Sequence, residues 1–242
     1  MYEKNIKDYL EKYGVKAFKP KAVLFDMDGV IYNSMPNHAI SWHKAMEKYG
    51  LDMPLSDAYK YEGMRGVETI KLLMKQQRGI NITDEEAENM YAFKSALYAQ
   101  CPKADKMEGI YGLMCKIKEM GPKIVVVTGS GQKTLLDRLQ KDFNGLITTE
   151  LIVTAHDVTH GKPNPEPYIM GMKKAGIQPW EGIVVENAPL GVRAGVAANI
   201  FTIAVNTGPL SDEMLLDEGA NLLFHRMTDL EKDWNTLLVS CH

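Results

Sequence analysis

The sequence is poor in cysteine. Cys101, Cys115 and Cys241 are an odd number with no CxxC spacing. That argues against a disulfide framework or a zinc knuckle and predicts reduced thiols in a reducing compartment. Long apolar runs are also missing, so no segment reads as a membrane-spanning helix. The opening MYEKNIKDYLEKYG is charged and lacks the apolar stretch of a secretory signal. Charge of one sign is scarce too: the formal net charge is -3, which speaks against non-specific binding to nucleic acid or an anionic membrane surface. Neither internal repeats nor low-complexity segments occur. The expectation is a soluble, cytoplasmic protein, monomeric or weakly oligomeric, with no nucleic-acid or membrane partner.

What remains is an ordinary globular composition, with 24% charged and 45% hydrophobic residues over 242 positions, enough to bury a sizeable core. Ile6, Tyr9, Leu10 and Tyr13 lie at helical spacing and predict a helix over 3–13. AVLF (22–25) then reads as a buried strand. HAISWHKAMEKYG, GVETIKLLMKQQ and TDEEAENMYAFKSALYAQ read as three helices, the last with Thr83 as N-cap and acidic residues in its first turn. Beyond Pro102, strands KIVVVT (123–128), LIVT (151–154), GIVVE (182–186), FTIAV (201–205) and NLLF (221–224) alternate with helices near 109–120, 132–140, 165–175 and 189–198, and a C-terminal helix follows. This alternation predicts a Rossmann-like α/β fold, a parallel sheet covered by helices on both faces. The all-helical block is an insertion. The predicted domains are therefore 1–33 with 103–242 as the α/β core and 34–102 as a helical cap.

In an open parallel sheet, ligands bind beyond the carboxyl ends of the strands. Here those ends carry Asp26-Met27-Asp28-Gly29, Thr128-Gly129-Ser130 and Glu186-Asn187, and the loop after LIVT adds Gly161-Lys162-Pro163. If the first strand stays extended, Asp26 and Asp28 point to the same side. Asp and Gly are also common turn residues, so DMDG by itself could be a strand-end turn. Four polar motifs on one edge of one sheet make a site the better reading.

Together DMDGV, TGS, GKP and the late acidic motif resemble the four signature motifs of the haloacid dehalogenase superfamily. The position and helical content of the insertion resemble its beta-phosphoglucomutase-like subgroup. SMPNHAISWHKAM and GKPNPEPY are similar to bacterial inorganic pyrophosphatases within that subgroup. The resemblance implies a phosphotransfer enzyme in which Asp26 is the nucleophile and forms an aspartyl-phosphate. Asp28 is the general acid and then the base, its carbonyl binding the metal, and its presence argues against dehalogenation. Thr128, Gly129 and Ser130 hold the phosphoryl oxygens, and Lys162 balances charge. Mg2+ is the implied cofactor, suited to hard oxygen ligands.

The family usually carries an aspartate metal ligand where this chain has Asn187, so one negative charge is missing. Glu186 becomes a carboxylate beside the metal rather than on it. In the mutase branch the residue before the cap glycine is typically lysine, whereas here YEGMRG places Glu62 there. The expectation is that cap closure brings Glu62 to the metal and restores the charge. Arg65 is a candidate for a distal phosphate, and His38 sits where the mutase branch has a cap-hinge histidine. His156 and His160 are four apart, but the segment between them reads as a loop and makes a poor zinc motif. The remaining lysines read as solvated surface groups and the methionines as core filler. The leading function is Mg2+-dependent hydrolysis of a small phosphorylated substrate, foremost pyrophosphate. The alternatives are a sugar-phosphate mutase and a catalytically weak metal or phosphate sensor.

Overall fold

The computed structural model describes residues 2–130 and 133–239, so Cys241 lies outside the described residues. Six strands form one wholly parallel sheet in the order β3-β2-β1-β4-β5-β6. They are β1 (Ala22–Phe25), β2 (Lys123–Val127), β3 (Ile152–Val153), β4 (Gly182–Glu186), β5 (Phe201–Val205) and β6 (Leu222–Phe224). Successive side chains alternate between two buried faces. Val23 and Phe25 enter one apolar core with Ile124, Val126, Ile183 and Val185. Ala22 and Leu24 enter the opposite core with Val125, Val127 and Val184.

The first core is covered by α1 (Glu3–Tyr13), α6 (Ile110–Met120), α7 (Lys133–Asp142) and α11 (Met227–Val239), and the second by α8 (Glu166–Ala175) and α9 (Pro189–Ala197). The α/β expectation is therefore met. Helix α1 is anchored by Tyr9, whose hydroxyl donates to the Asn199 carbonyl at 2.8 Å while its ring meets Phe18 and Phe201. A short α10 (Asp212–Leu216) precedes β6.

Between β1 and α6 stand α2 (Met35–Lys48), α3 (Leu55–Lys60), α4 (Gly66–Arg78) and α5 (Asp84–Ala99). These share an apolar cluster of their own, including Trp42, Met46, Ile70, Leu73 and Met90. At the start of α5, Thr83 Oγ1 accepts from Glu86 N at 3.2 Å, and Glu86 returns a carboxylate to Thr83 N at 2.8 Å. This reciprocal pairing satisfies two donors that the helix end would leave bare.

Sequence periodicity misses α3, whose six residues are too few to show a helical repeat. β3 spans two residues rather than the four of LIVT, because Thr149–Leu151 form a 3-10 turn. Among the described residues no helix is long and apolar enough to cross a membrane.

Candidate active site

β1 is flanked by β2 and β4 with Phe25 level with both Val126 and Val185, so the polar residues that follow are brought to one edge. Asp26 still pairs with the sheet through its N–H to the Val185 carbonyl at 3.0 Å. The strand then stops, which corrects the expectation of an extended Asp26–Asp28 segment. Met27 bends the chain, and its carbonyl accepts from Ile31 N at 2.9 Å and Tyr32 N at 3.0 Å. Gly29 takes φ +84 within this turn, a conformation that disfavours a side chain. A Cβ at Gly29 would also stand 2.0 Å from Asn187 Nδ2. The two aspartates are therefore joined through a tight turn, and the charge of Asp28 adds to the rise of the Asp26 carboxyl.

Lys162 is 3% exposed. Its ammonium binds the Asp26 carboxylate through Oδ1 and Glu186 Oε1, the latter at 2.6 Å. Tyr168 also donates to Glu186 Oε1 at 2.6 Å, and the N–H of Asn187 donates to Oε2 at 3.0 Å. Glu186 is thus satisfied by its own surroundings. There is no room for a side chain at Gly191, where a Cβ would fall within 2.0 Å of this carboxyl group. Burial pushes the Asp26 carboxyl up to about 7, with Lys162 opposing and Glu186 and Asp28 adding to the rise. Lys162 itself is raised by the two carboxylates, which outweigh its burial.

Burial alone would raise Asp28 as well. His38 and the Ser34 hydroxyl outweigh it and hold that carboxyl below its ordinary range. Ser34 Oγ donates to Asp28 Oδ1 at 2.5 Å, and His38 Nε2 lies 3.3 Å from the same oxygen. On its other side His38 Nδ1 accepts from Lys94 Nζ at 2.8 Å. An ammonium on Nδ1 keeps the ring proton at Nε2, facing Asp28.

Lys94 is the residue that sequence reasoning missed. No motif contains it, yet it is 3% exposed and lies near the rings of Trp42, Tyr91 and Tyr98. Its signal was its position on the buried stripe of α5, in step with Ala87 and Met90. Tyr168 was missed too, as an unremarked member of GKPNPEPY.

Thr128 is 4% exposed, and its Oγ1 accepts from Ser130 N at 3.0 Å. Gly129 and Ser130 line a cavity of about 760 Å3 between core and cap, together with Asp28, His38, Glu62 and Lys94. Glu62, half-buried, comes from the cap. Burial first, then Asp28 and Asp26, push its carboxyl well above the ordinary range, with Lys94 and Lys162 opposing. Gly63 beside it lies on the stem of Lys162. Arg65 is exposed and also lines the cavity, but its guanidinium donates to the Thr159 carbonyl at 3.2 Å, tying cap to core. His156 is exposed and His160 pairs with Glu166 at 2.9 Å, so these two do not converge as metal ligands. Cys101 and Cys115 are free.

Among the described residues two buried oxygens, Asp26 Oδ2 and Asn187 Oδ1, have no hydrogen-bond partner. Unpartnered buried acceptors are costly unless a ligand satisfies them. Among the described residues no three His, Cys, Asp or Glu side chains gather as a ligand set. The oxygens present therefore suit a hard cation that accepts an amide, a backbone carbonyl and water beside its carboxylates.

The chain is similar throughout to proteins of one phosphotransfer class. The family described as haloacid dehalogenase-like hydrolase matches residues 23–205. A solved structure from Bacteroides vulgatus, provisionally titled a beta-phosphoglucomutase, is 51% identical. It covers 99% of this chain and 98% of its own, with a TM-score of 0.96. Hexitol phosphatase A of Escherichia coli (strain K12) is 28% identical over 87% of this chain and 93% of its own length. Beta-phosphoglucomutase of Bacillus subtilis (strain 168) is 25% identical over 87% and 91%.

A parallel sheet with these motifs at its carboxyl edge defines a phosphatase or phosphomutase of α/β fold. The chain belongs to the haloacid dehalogenase-like hydrolase family, in its beta-phosphoglucomutase-like subgroup, and its relatives include phosphatases and phosphomutases.

Proposed function

We propose that the chain is a Mg2+-dependent phosphohydrolase acting through an aspartyl-phosphate, with inorganic pyrophosphate as its substrate. The observation that carries this reading is that the cap's Glu62 lines one cavity with Asp28, where a mutase would offer a cation to a sugar phosphate. Asp26 Oδ2, Asn187 Oδ1, the Asp28 carbonyl and Glu62 would hold Mg2+. Bound there, the ion supplies neutralisation of charge on the transferring phosphoryl group.

The Asp26 carboxylate, oriented by Lys162, attacks phosphorus in line with the leaving oxygen. Thr128 and the N–H groups after it hold the phosphoryl oxygens. Asp28 then takes a proton from the water that opens the aspartyl-phosphate. Its Oδ1 already faces two donors, Ser34 and His38, which favour the ionised form. An ionised Asp28 suits a phosphate leaving group better than an alkoxide, because phosphate departs with little need of a proton. The buried ammonium of Lys94 adds a positive charge for a second phosphate. With the cap closed, the reaction is shielded from bulk water.

The domain division follows the same logic: 1–33 with 103–242 carries the chemistry, and 34–102 closes over it. The cavity of about 760 Å3 is far larger than pyrophosphate and favours a second reading, a sugar-phosphate mutase. Phosphate release with Mg2+ from pyrophosphate, hexose phosphates, phosphoglycolate and nucleotides separates the two. Pyrophosphate should be cleaved far faster than every monoester. Conversion of β-glucose 1-phosphate to glucose 6-phosphate would establish the mutase instead.

A further inference from the structure

We propose that Thr207 and Gly208, on the loop after β5, are positioning residues. Thr207 seats the turn bearing Asp28 against Asn187, and Gly208 gives the closed cap its footing through Tyr59. Neither belongs to the four motifs at the sheet edge, and the inference rests on the magnesium-site reading above.

Thr207 Oγ1 donates to the Gly29 carbonyl at 2.7 Å, joining positions 178 residues apart. Gly29 in turn presses on the Asn187 amide so closely that a Cβ would overlap Nδ2. The bond that fixes Gly29 therefore also fixes where the unpartnered Asn187 Oδ1 stands. The loop is rigid enough for this task. Asn206 N donates to the Phe224 carbonyl at 2.7 Å, and its amide donates to the Leu210 carbonyl and Asp212 Oδ1, each at 2.8 Å. On the cap side Tyr59, near the end of α3, lies over Gly208, where a Cβ would come within 2.6 Å of its ring. One short loop thus touches both the metal corner and the lid.

The hydroxyl acts on the metal corner of the core and the missing side chain on the seat of the cap, so different variants test them. Thr207→Val keeps the shape and removes the donor, and loss of this partly buried hydrogen bond is enough to weaken Mg2+ binding about tenfold. Thr207→Ser should restore binding to within about twofold of wild type. Gly208→Ala should lower kcat/KM about tenfold, because the cap no longer docks in register, and should weaken Mg2+ binding by no more than the loss of the cap's Glu62 does.

Affinity is read by calorimetric titration of Mg2+ alone and by the rise in melting temperature it causes. Kinetics are read on whichever substrate the wild type turns over fastest. Wild-type Mg2+ affinity in Thr207→Val overturns the proposal, as does a Thr207→Ser variant no better than the valine. Unchanged kcat/KM in Gly208→Ala overturns the cap arm. If the valine variant does not fold, Thr207→Ala replaces it with the same expectation. A wild type that binds no Mg2+ overturns the magnesium reading together with this inference. A wild type that binds Mg2+ but leaves pyrophosphate intact overturns only the substrate.

Discussion

Lys94 Nζ donates to His38 Nδ1 at 2.8 Å, and the opposite ring nitrogen of His38 faces Asp28. A cap lysine therefore reaches the reacting end of the core through one imidazole. Burial pushes Lys94 down to about 8, with Glu62 and Asp28 opposing. The charged form exists below that value, so kcat/KM should fall as pH rises through about 8. In Lys94→Arg the guanidinium stays charged and the alkaline limb should move up. In Lys94→Met activity should be low and that limb absent. An unchanged pH profile in Lys94→Met would remove Lys94 from the mechanism.

Glu62 is expected to restore the charge that Asn187 lacks. Glu62→Ala should raise the Mg2+ concentration for half-maximal activity by about tenfold or more. The double variant Glu62→Ala with Asn187→Asp should recover part of that loss, since the two changes act on one charge. Activity and Mg2+ dependence of Glu62→Ala within about twofold of wild type, roughly 0.4 kcal/mol of barrier, would discard the role.

Tyr168 is buried, and its hydroxyl stays protonated because burial and then Glu186 push its pKa well up. Tyr168→Phe removes a 2.6 Å hydrogen bond to a buried carboxylate, at a cost of about 2 kcal/mol. Urea denaturation should show that loss, with kcat reduced as Glu186 and Lys162 shift. Stability equal to wild type would mean that Lys162 and the N–H groups of Asn187 and Ala188 suffice for Glu186.

The capping box of α5 lies away from the chemistry. Thr83→Ala should cost about 1 kcal/mol of stability, seen as a lower urea midpoint. Because α5 also carries Lys94, a frayed α5 should additionally raise KM. Thr83→Ser should keep both near wild type.

Much of the fold was legible because it is local. Alternating apolar runs such as AVLF and GIVVE, with helical repeats between them, dictate a parallel sheet wherever they occur. The motif residues were legible for the same reason, since Asp26, Thr128 and Glu186 directly follow or end such strands. Where the local signal was short, reading failed: α3 has too few residues for a repeat, and β3 was shortened by a turn.

The relations among distant residues were decided only by the tertiary structure. The sequence itself determined that carboxylates, a threonine and a lysine would gather at one sheet edge, because each follows its own strand or loop. It could not show that Lys94 would be buried against His38 or that Thr207 would hold Gly29. Those contacts join positions tens to hundreds of residues apart, and side-chain packing between separately formed elements decides them. Asn187 belongs to both. Its missing charge is visible in the chain, but the unpartnered Oδ1, and the cap carboxylate that feels Asp26 and Asp28, exist only once the elements have packed.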